Sequence, residues 1–340
     1  MKNFHNASHL LSNQVGLQAR FRQDGYLYLK QVVSRQKLLA LRRQILGICQ
    51  KNHWLKPGEK LDDGISWTTP KVEGEDDYFA VYDEIQKLET FHALAHDFSI
   101  IRVMHSLLGA SAFPHPLSIC RLVFPDSELW ATPPHQDYPN NQGSEDLYAC
   151  WIPLSDCPRE QGALEILAGS HTLGLLPLKY SLGAGHRQAD LGEEAAGLEW
   201  TGGDFALGDI LVFHSLSVHR SQPNSTRQLR LSVDYRYQAE HQPLTERCLQ
   251  PHFGRLSWEQ IYQGWRSSEL PYYWRQKSFE IVPWRPQLQE LPDEHLAEAV
   301  RMKRDFDQQR LALKKKYDRQ SMLLKDTRKE SEHAGEKTRF

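Results

Sequence analysis

The sequence predicts a mainly β protein with flanking helices, a barrel or sandwich behind an N-terminal helical layer. Helical spacing is confined to the first third of the chain and to its last stretch. From about residue 115 the texture changes to short strand-forming runs, each bounded by Gly, Pro, Asn or Asp. The residues that could ligate a metal fall on separate runs of this kind, so a closed or folded-over sheet is needed to bring them together.

Taken in order, Phe21 to Gly25 ends a short helix at glycine, and Tyr26 to Val33 is rich in strand formers. Ser34 is placed to N-cap a helix with Leu38, Leu41 and Ile45 on one face. Gly58 to Asp77 is a loop dominated by glycine, proline and charge. Ile85, Leu88, Phe91, Leu94, Ile101, Met104 and Leu108 restore helical spacing across 84–109. Strands are expected over Leu117–Phe124, Leu147–Leu154, Gly162–Leu167, Asp204–Phe213 and Gln228–Tyr237. The segment 171–203 is glycine-rich and unperiodic, which suits a lid or binding loop. Beyond 240, Trp258, Tyr262, Trp265, Tyr272, Tyr273, Trp274 and Trp284 make either a helical cover over the barrel mouth or outer packing. A final helix opens after Pro292 with Ala299, Met302, Phe306, Leu313 and Tyr317 at helical spacing. After Lys325 charge dominates, and a frayed or disordered tail is expected.

Composition excludes several function classes. The 340 residues are 40% hydrophobic and 25% charged, with a formal net charge of -2, so overall charge gives no cause to expect nucleic acid. The basic run Lys314, Lys315, Lys316, Arg319, Lys325, Arg328 and Lys329 fits a solvated helix face, or a helix on which a second copy docks as a homodimer. No apolar run approaches a membrane span, and the N-terminus lacks a signal-peptide core. Five scattered cysteines, without a CxxC pair, argue against a disulfide framework and a zinc–thiolate site and favour a reducing, cytoplasmic setting.

The chemistry centres on Pro133-Pro134-His135-Gln136-Asp137-Tyr138 with the distant His219 and Arg230. His135 and Asp137, two apart on an extended segment, point to one side. With a further imidazole they form the two-His, one-carboxylate set of a non-haem Fe(II) centre, leaving positions open for substrate, cosubstrate or O2. Taken alone, His-x-Asp is a surface or core pair more often than a ligand pair; the Pro-Pro before it supports an extended entry. His214 competes with His219 for the third place, but a core or supporting role suits it better, because His219 stands in fixed relation to Arg230 across the turn Pro223 to Thr226. Arg230 could grip a carboxylate-bearing cosubstrate. In the strand around it, Leu229, Leu231, Val233, Tyr235 and Tyr237 alternate with Arg230, Ser232, Asp234 and Arg236. Its polar face either meets solvent or lines a barrel lumen; spacing leaves both open.

Order and spacing of these blocks resemble the phytanoyl-CoA dioxygenase family of Fe(II)/2-oxoglutarate oxygenases. The resemblance covers about 18–46 and, more specifically, 115–238. It is carried by Phe21 to Tyr26, His135-Gln136-Asp137, Ala149 to Asp156, Gln161 to Leu164 with Gly169-Ser170-His171, and Gly208 to Ser221 followed by Asn224, Ser225 and Arg230. Ala168 departs from the proline common in the family and touches only a turn.

The resemblance implies a double-stranded β-helix (jelly-roll, cupin-like) core within an oxygenase domain over 1–290, followed by a C-terminal helix over 291–322 and a tail over 323–340. It implies that His135, Asp137 and His219 bind iron, that Arg230 pairs with the distal carboxylate of 2-oxoglutarate, and that Ser221 and Trp151 assist. For those two, a turn serine and a core tryptophan are equally good descriptions. Arg121 and Leu117 fall where family members contact cosubstrate or substrate. Hydroxylation of a small-molecule substrate is implied, because halogenases of this type replace the carboxylate that is here Asp137. The alternative is a catalytically silent cupin-like metal-binding or sensing module, since fold alone does not dictate function.

Overall fold

The computed structural model describes residues 1–336, with side chains left out at a few positions and from residue 320 onward. A two-residue strand β1 (Lys2–Asn3) precedes helix α1 (Gln14–Asp24), which Asn13 caps by accepting from the Gly16 N–H. Gly25 ends that helix at φ 73°, a conformation costly for any side chain. Strand β2 (Tyr26–Leu29) follows, then α2 (Arg35–Lys51), whose buried Leu38, Leu41, Ile45 and Cys49 keep a three-to-four residue period. Ser34 holds the N-cap position of α2 but makes no side-chain capping bond. The 84–109 region resolves into the end of α3 (Asp76–Gln86), then α4 (Glu89–Leu94) and α5 (Phe98–Leu108).

The strands are β3 (Ala112–Val123), β4 (Tyr148–Pro153), β5 (Leu164–Leu167), β6 (Leu178–Tyr180), β7 (Arg187–Ala189), β8 (Trp200–Gly202), β9 (Ile210–His214), β10 (His219–Ser221) and β11 (Arg230–Ala239). A one-turn helix, α6 (Tyr138–Asn141), follows the His-x-Asp motif. The major sheet runs β2-β9-β4-β11-β3, antiparallel throughout, and the minor sheet runs β1-β8-β5-β10. The two sheets pack face to face, sharing the cluster of Trp151, Leu164, Ile166 and Leu211, and make the double-stranded β-helix core.

The major sheet has two different faces. Leu231, Val233, Tyr235 and Tyr237 of β11 join the large apolar cluster shared with α1 to α5. Arg230, Ser232, Asp234, Arg236 and Gln238 point the other way and are buried as well. The polar face of β11 therefore lines the space between the sheets. Toward the β2 side the same space is filled by Tyr26, Tyr28, Trp151, Ile166, Phe205 and Phe213.

Two segments depart from expectation. Residues 171–203 are not an unperiodic loop: they contain the β6–β7 hairpin, several 3-10 turns and β8 of the minor sheet. Strands of three residues are too short to show alternation in a sequence. Between 240 and 290 the expected helical cover is absent among the described residues, which form 3-10 turns and the five-residue α7 (Trp258–Tyr262). Its aromatic cluster packs on the flank of the domain, with Trp258 and Trp265 against His92 of α4.

The last helix, α8 (Leu296–Glu336), continues past 322. The tail expectation over 323–340 falls on side chains outside the described ones, and 337–340 lie outside the described residues altogether.

Candidate active site

Residues 132–135 run alongside β10, and Asp137 turns out of that segment at φ -75°, ψ -27° into α6, its N–H donating to the Ser215 carbonyl. The His135 N–H donates to the His219 carbonyl at 2.9 Å and the His219 N–H to the His135 carbonyl at 3.0 Å. This single bridge brings two histidines far apart in sequence to a ring separation of 4.0 Å. Asp137 Oδ1 lies 3.9 Å from His135 Nε2 and 4.0 Å from His219 Nε2. The three ligand atoms all lie within 4.8 Å of one another, a spacing at which one ion can sit among them once the side chains draw in slightly to bonds of about 2.1 Å. No other group of three His, Cys, Asp or Glu side chains among the described residues is placed to hold a metal.

The histidine tautomers are set by what their other nitrogens touch. Nδ1 of His135 faces the Pro133 carbonyl at 2.9 Å, and Nδ1 of His219 faces the Ser217 carbonyl at 3.1 Å. A carbonyl only accepts, so each Nδ1 carries the proton and each Nε2 keeps a lone pair directed at the cluster. Burial keeps both rings neutral; His219 is pushed down to about 3, with its neighbour His135 adding to the effect. Burial alone would raise the Asp137 carboxyl, but the charge of the Arg236 guanidinium beside it more than offsets this and holds it at about 2. Two neutral nitrogen donors and an ionised carboxylate are what a ferrous ion takes.

Arg236 is the member that sequence reasoning left without a role. Its Nη2 lies 2.8 Å from Asp137 Oδ2 in a fully buried ion pair. Parity places it on the face of Arg230, six residues earlier, and nothing in the sequence points to its partner. Gln136, between the two ligands, donates to the carbonyls of Gly174 and Leu216 and accepts from the Leu176 N–H. It fixes the ligand segment to the connection before β6.

The remaining expected residues distribute as follows. Arg230 is 2% exposed; its Nη1 donates to Ser232 Oγ at 2.6 Å, and its Nε finds no acceptor. It has no carboxylate partner among the described residues. Its guanidinium lies 5.7 Å from the Trp151 ring, and the buried Trp151 Nε1–H is also without an acceptor. Ser221 Oγ accepts from the Thr132 N–H at 2.9 Å, leaving its own hydroxyl proton to donate elsewhere. A buried cation and an indole donor, both short of acceptors, are the complement of a carboxylate-bearing ligand. On that observation the residues present fit 2-oxoglutarate.

Arg121 is already engaged, by Glu73 at 2.9 Å and Asp234 at 3.3 Å, so it meets no cosubstrate carboxylate unpaired. Leu117 and Arg121 line a cavity of about 320 Å3 that opens onto His135 and Asp137. His214 stands apart on β9, 3.6 Å from Asp146 and packed on Tyr148.

Comparison with known proteins follows the same lines. The family model described as phytanoyl-CoA dioxygenase (PhyH) matches residues 21–232. The 1-deoxypentalenic acid 11-beta-hydroxylase of Streptomyces arenae is 28% identical over 246 residues, 67% of this chain and 82% of the relative. Its namesake from Streptomyces exfoliatus is 26% identical over 245 residues, with the same coverage. Among solved structures, the non-heme alpha ketoglutarate dependent carbocyclase SnoK from nogalamycin biosynthesis superposes with a TM-score of 0.51 at 18% identity. That match covers 75% of this chain and 94% of the other, a likeness of fold.

Proposed function

The chain belongs to the phytanoyl-CoA dioxygenase family of Fe(II)- and 2-oxoglutarate-dependent oxygenases, and we propose that it hydroxylates an unactivated C–H bond of a small or medium-sized organic metabolite. The observation that carries this is the meeting of His135, Asp137 and His219, the first two lining a cavity, with Arg230 buried on the same strand as Arg236 and without a carboxylate partner among the described residues. The two Streptomyces relatives are named as hydroxylases, which supports the same outcome here.

His135, Asp137 and His219 would hold the iron, and Arg230 would take the distal carboxylate of 2-oxoglutarate, with Ser221 and Trp151 as further donors. When bound, iron and 2-oxoglutarate supply the oxidation: O2 gives one oxygen atom to the substrate and one to succinate, and CO2 leaves. The chain's part is placement and shielding. The Pro133 and Ser217 carbonyls orient the two imidazoles, and Arg236 keeps Asp137 ionised and aimed. Phe213 lies 4.4 Å from the His219 ring and, with Trp151 and Phe205, excludes water from the far side. Leu117 and Ile119 present an apolar wall to the substrate.

Anaerobic titration with Fe(II) and 2-oxoglutarate should give a weak visible metal-to-ligand band that His135→Ala loses. An identical response from both proteins overturns the assignment.

We extend the proposal to the whole chain. Residues 1–290 form the catalytic unit, and α8 (Leu296–Glu336) is an added helix. The five cysteines, all buried and unpaired, favour the cytoplasm, and no helix among the described residues is long and apolar enough to cross a membrane. Val300 and Leu311 are exposed on α8, a face on which a second copy can dock; particle mass in solution, with and without 323–340, tests this.

A further inference from the structure

The cavity over the metal cluster carries more positive charge than iron chemistry uses. Four arginines line it (Arg121, Arg187, Arg236 and Arg247) against two carboxylates, Glu73 and Asp137. Glu73 is taken by Arg121, and Asp137 is committed to the metal. Bound iron and 2-oxoglutarate, with Asp137 and Arg230, are neutral as a group. Arg187, Arg236 and Arg247 are left over. Setting the second carboxylate on Arg121, Asp234, against one of them still leaves an excess of cations.

Two of the three show more than surplus charge. Arg236 is 3% exposed, and apart from its contact with Asp137 its Nε and Nη1 are buried without an acceptor. A guanidinium has five N–H donors in a fixed plane, and leaving them unmet away from water is costly. Arg247 stands at the mouth, its guanidinium 4.0 Å over the Trp284 ring. Stacking occupies the face of the group and holds it in place while the N–H edge stays free for an acceptor. Arg187, on the β6–β7 hairpin, faces the same opening and has no carboxylate partner among the described residues. Leu117 and Ile119 on β3 add apolar wall to the same cavity.

We propose that the substrate is a free carboxylic acid with a compact hydrocarbon body. Its carboxylate is met by Arg236 and Arg247, and its C–H bonds lie along Leu117 and Ile119 toward the metal cluster. This rests on the oxygenase reading of the site and adds the substrate class to it. A coenzyme-A thioester brings its charge on phosphates far from the acyl carbon, so it would not place an anion beside Arg236 in the interior of the cavity. The free acid places anion and reacting carbon within one small cavity.

The test uses the full chain, anaerobic, with Fe(II) and 2-oxoglutarate. Probes are matched sets on linear, monocyclic and bicyclic skeletons: the carboxylate, the primary amide and the coenzyme-A thioester of each. The readouts are perturbation of the metal-to-ligand band and, separately, the shift in melting temperature of the metal-free protein. At least one carboxylate is expected to act at concentrations about tenfold or more below its amide and thioester. Arg247→Glu should erase that preference and Arg247→Lys keep most of it. Equal action of acid and amide, silence from every carboxylate, a preference for thioesters, or an acid preference unchanged in Arg247→Glu would each overturn the proposal. The two readings fail separately: a normal band without acid preference removes the substrate class alone, while acid-selective melting shifts without any band remove the oxygenase reading alone.

Discussion

Replacing Arg230 by methionine should produce two effects of very different size. Without cosubstrate, the guanidinium is buried, makes one hydrogen bond to Ser232, leaves Nε unsatisfied and has no carboxylate partner among the described residues. Burial drives its pKa down, the mark of a charge held where water would hold it better. Removing it sacrifices one hydrogen bond of about 1 kcal/mol and a weak contact with Trp151 of about 0.5–1 kcal/mol. It also relieves an uncompensated buried charge, which a well-packed apolar replacement often turns into a gain of about 1–4 kcal/mol. Ligand-free Arg230→Met should therefore unfold in urea within about 1–2 kcal/mol of wild type, on either side. Cosubstrate binding loses a desolvated charge pair worth about 2–5 kcal/mol, which is about 30-fold to several thousand-fold in affinity. The assay is paired: urea melts of the metal-free protein, and anaerobic calorimetric titration of 2-oxoglutarate into the Fe(II)-loaded protein. A loss of more than about 3 kcal/mol in the first, with unchanged affinity in the second, would make Arg230 a structural residue and refute the reasoning.

Other expectations are equally direct. Asp137→Ala should destabilise by about 3–5 kcal/mol because it strands Arg236 in the interior, whereas His135→Ala, with its side chain 18% exposed, should cost less than about 2 kcal/mol; both should abolish the Fe(II)–cosubstrate band. Equal melting losses in the two variants would contradict the ion pair. Burial holds His92, His96 and His115 at about 4, below the unfolded value of about 6.5, so they favour folding above that pH. As pH falls below it the unfolded chain takes up protons that the folded one refuses, and stability should drop by order 1 kcal/mol per group per unit until about pH 4; a urea midpoint unchanged between about pH 7 and 5 would show these rings to be charged or exposed. At Gly183, φ is 113° and an added Cβ would lie 2.2 Å from the Ala131 carbonyl oxygen. Gly183→Ala should cost about 1–3 kcal/mol in thermal melts and weaken substrate binding through the displaced β6–β7 hairpin; wild-type values for both would show that the backbone relaxes freely.

What could be read from the chain alone follows from interaction range. The alternation over 229–237 and the Pro-Pro entry to His135 are local features, and they announced a strand and an extended ligand segment. Whether the polar face of that strand meets water or a lumen depends on what lies opposite it. Opposite lie β5, β8 and β10, strands of three or four residues whose pairing no local pattern reveals. The partner of Arg236 was hidden for the same reason, being reached only through the His135–His219 bridge. Arg121 was placed correctly on the strand before the motif, yet its engagement by Glu73 joins residues separated by 48 positions and a whole helical layer. The region beyond 240 is held by aromatic packing onto α4, which leaves no periodic trace in sequence.

Because β11 is buried on both faces, parity along it separates two kinds of failure. Odd-numbered residues tie the sheet to the helices: the Tyr235 hydroxyl donates to the Phe91 carbonyl at 2.6 Å and the Tyr237 hydroxyl to the Ala95 carbonyl at 2.7 Å. Even-numbered residues face the cavity side and carry Arg230 and Arg236. Tyr235→Phe and Tyr237→Phe each leave a buried carbonyl without its donor, a loss of about 1–3 kcal/mol in urea melts. They should leave cosubstrate affinity within about twofold, since neither ring borders the space between the sheets. Arg230→Met is expected to do the reverse on both measurements. If the tyrosine variants weaken 2-oxoglutarate binding as strongly as the arginine variant, the sheet transmits strain across its thickness, and the division of β11 into a structural and a chemical face is wrong.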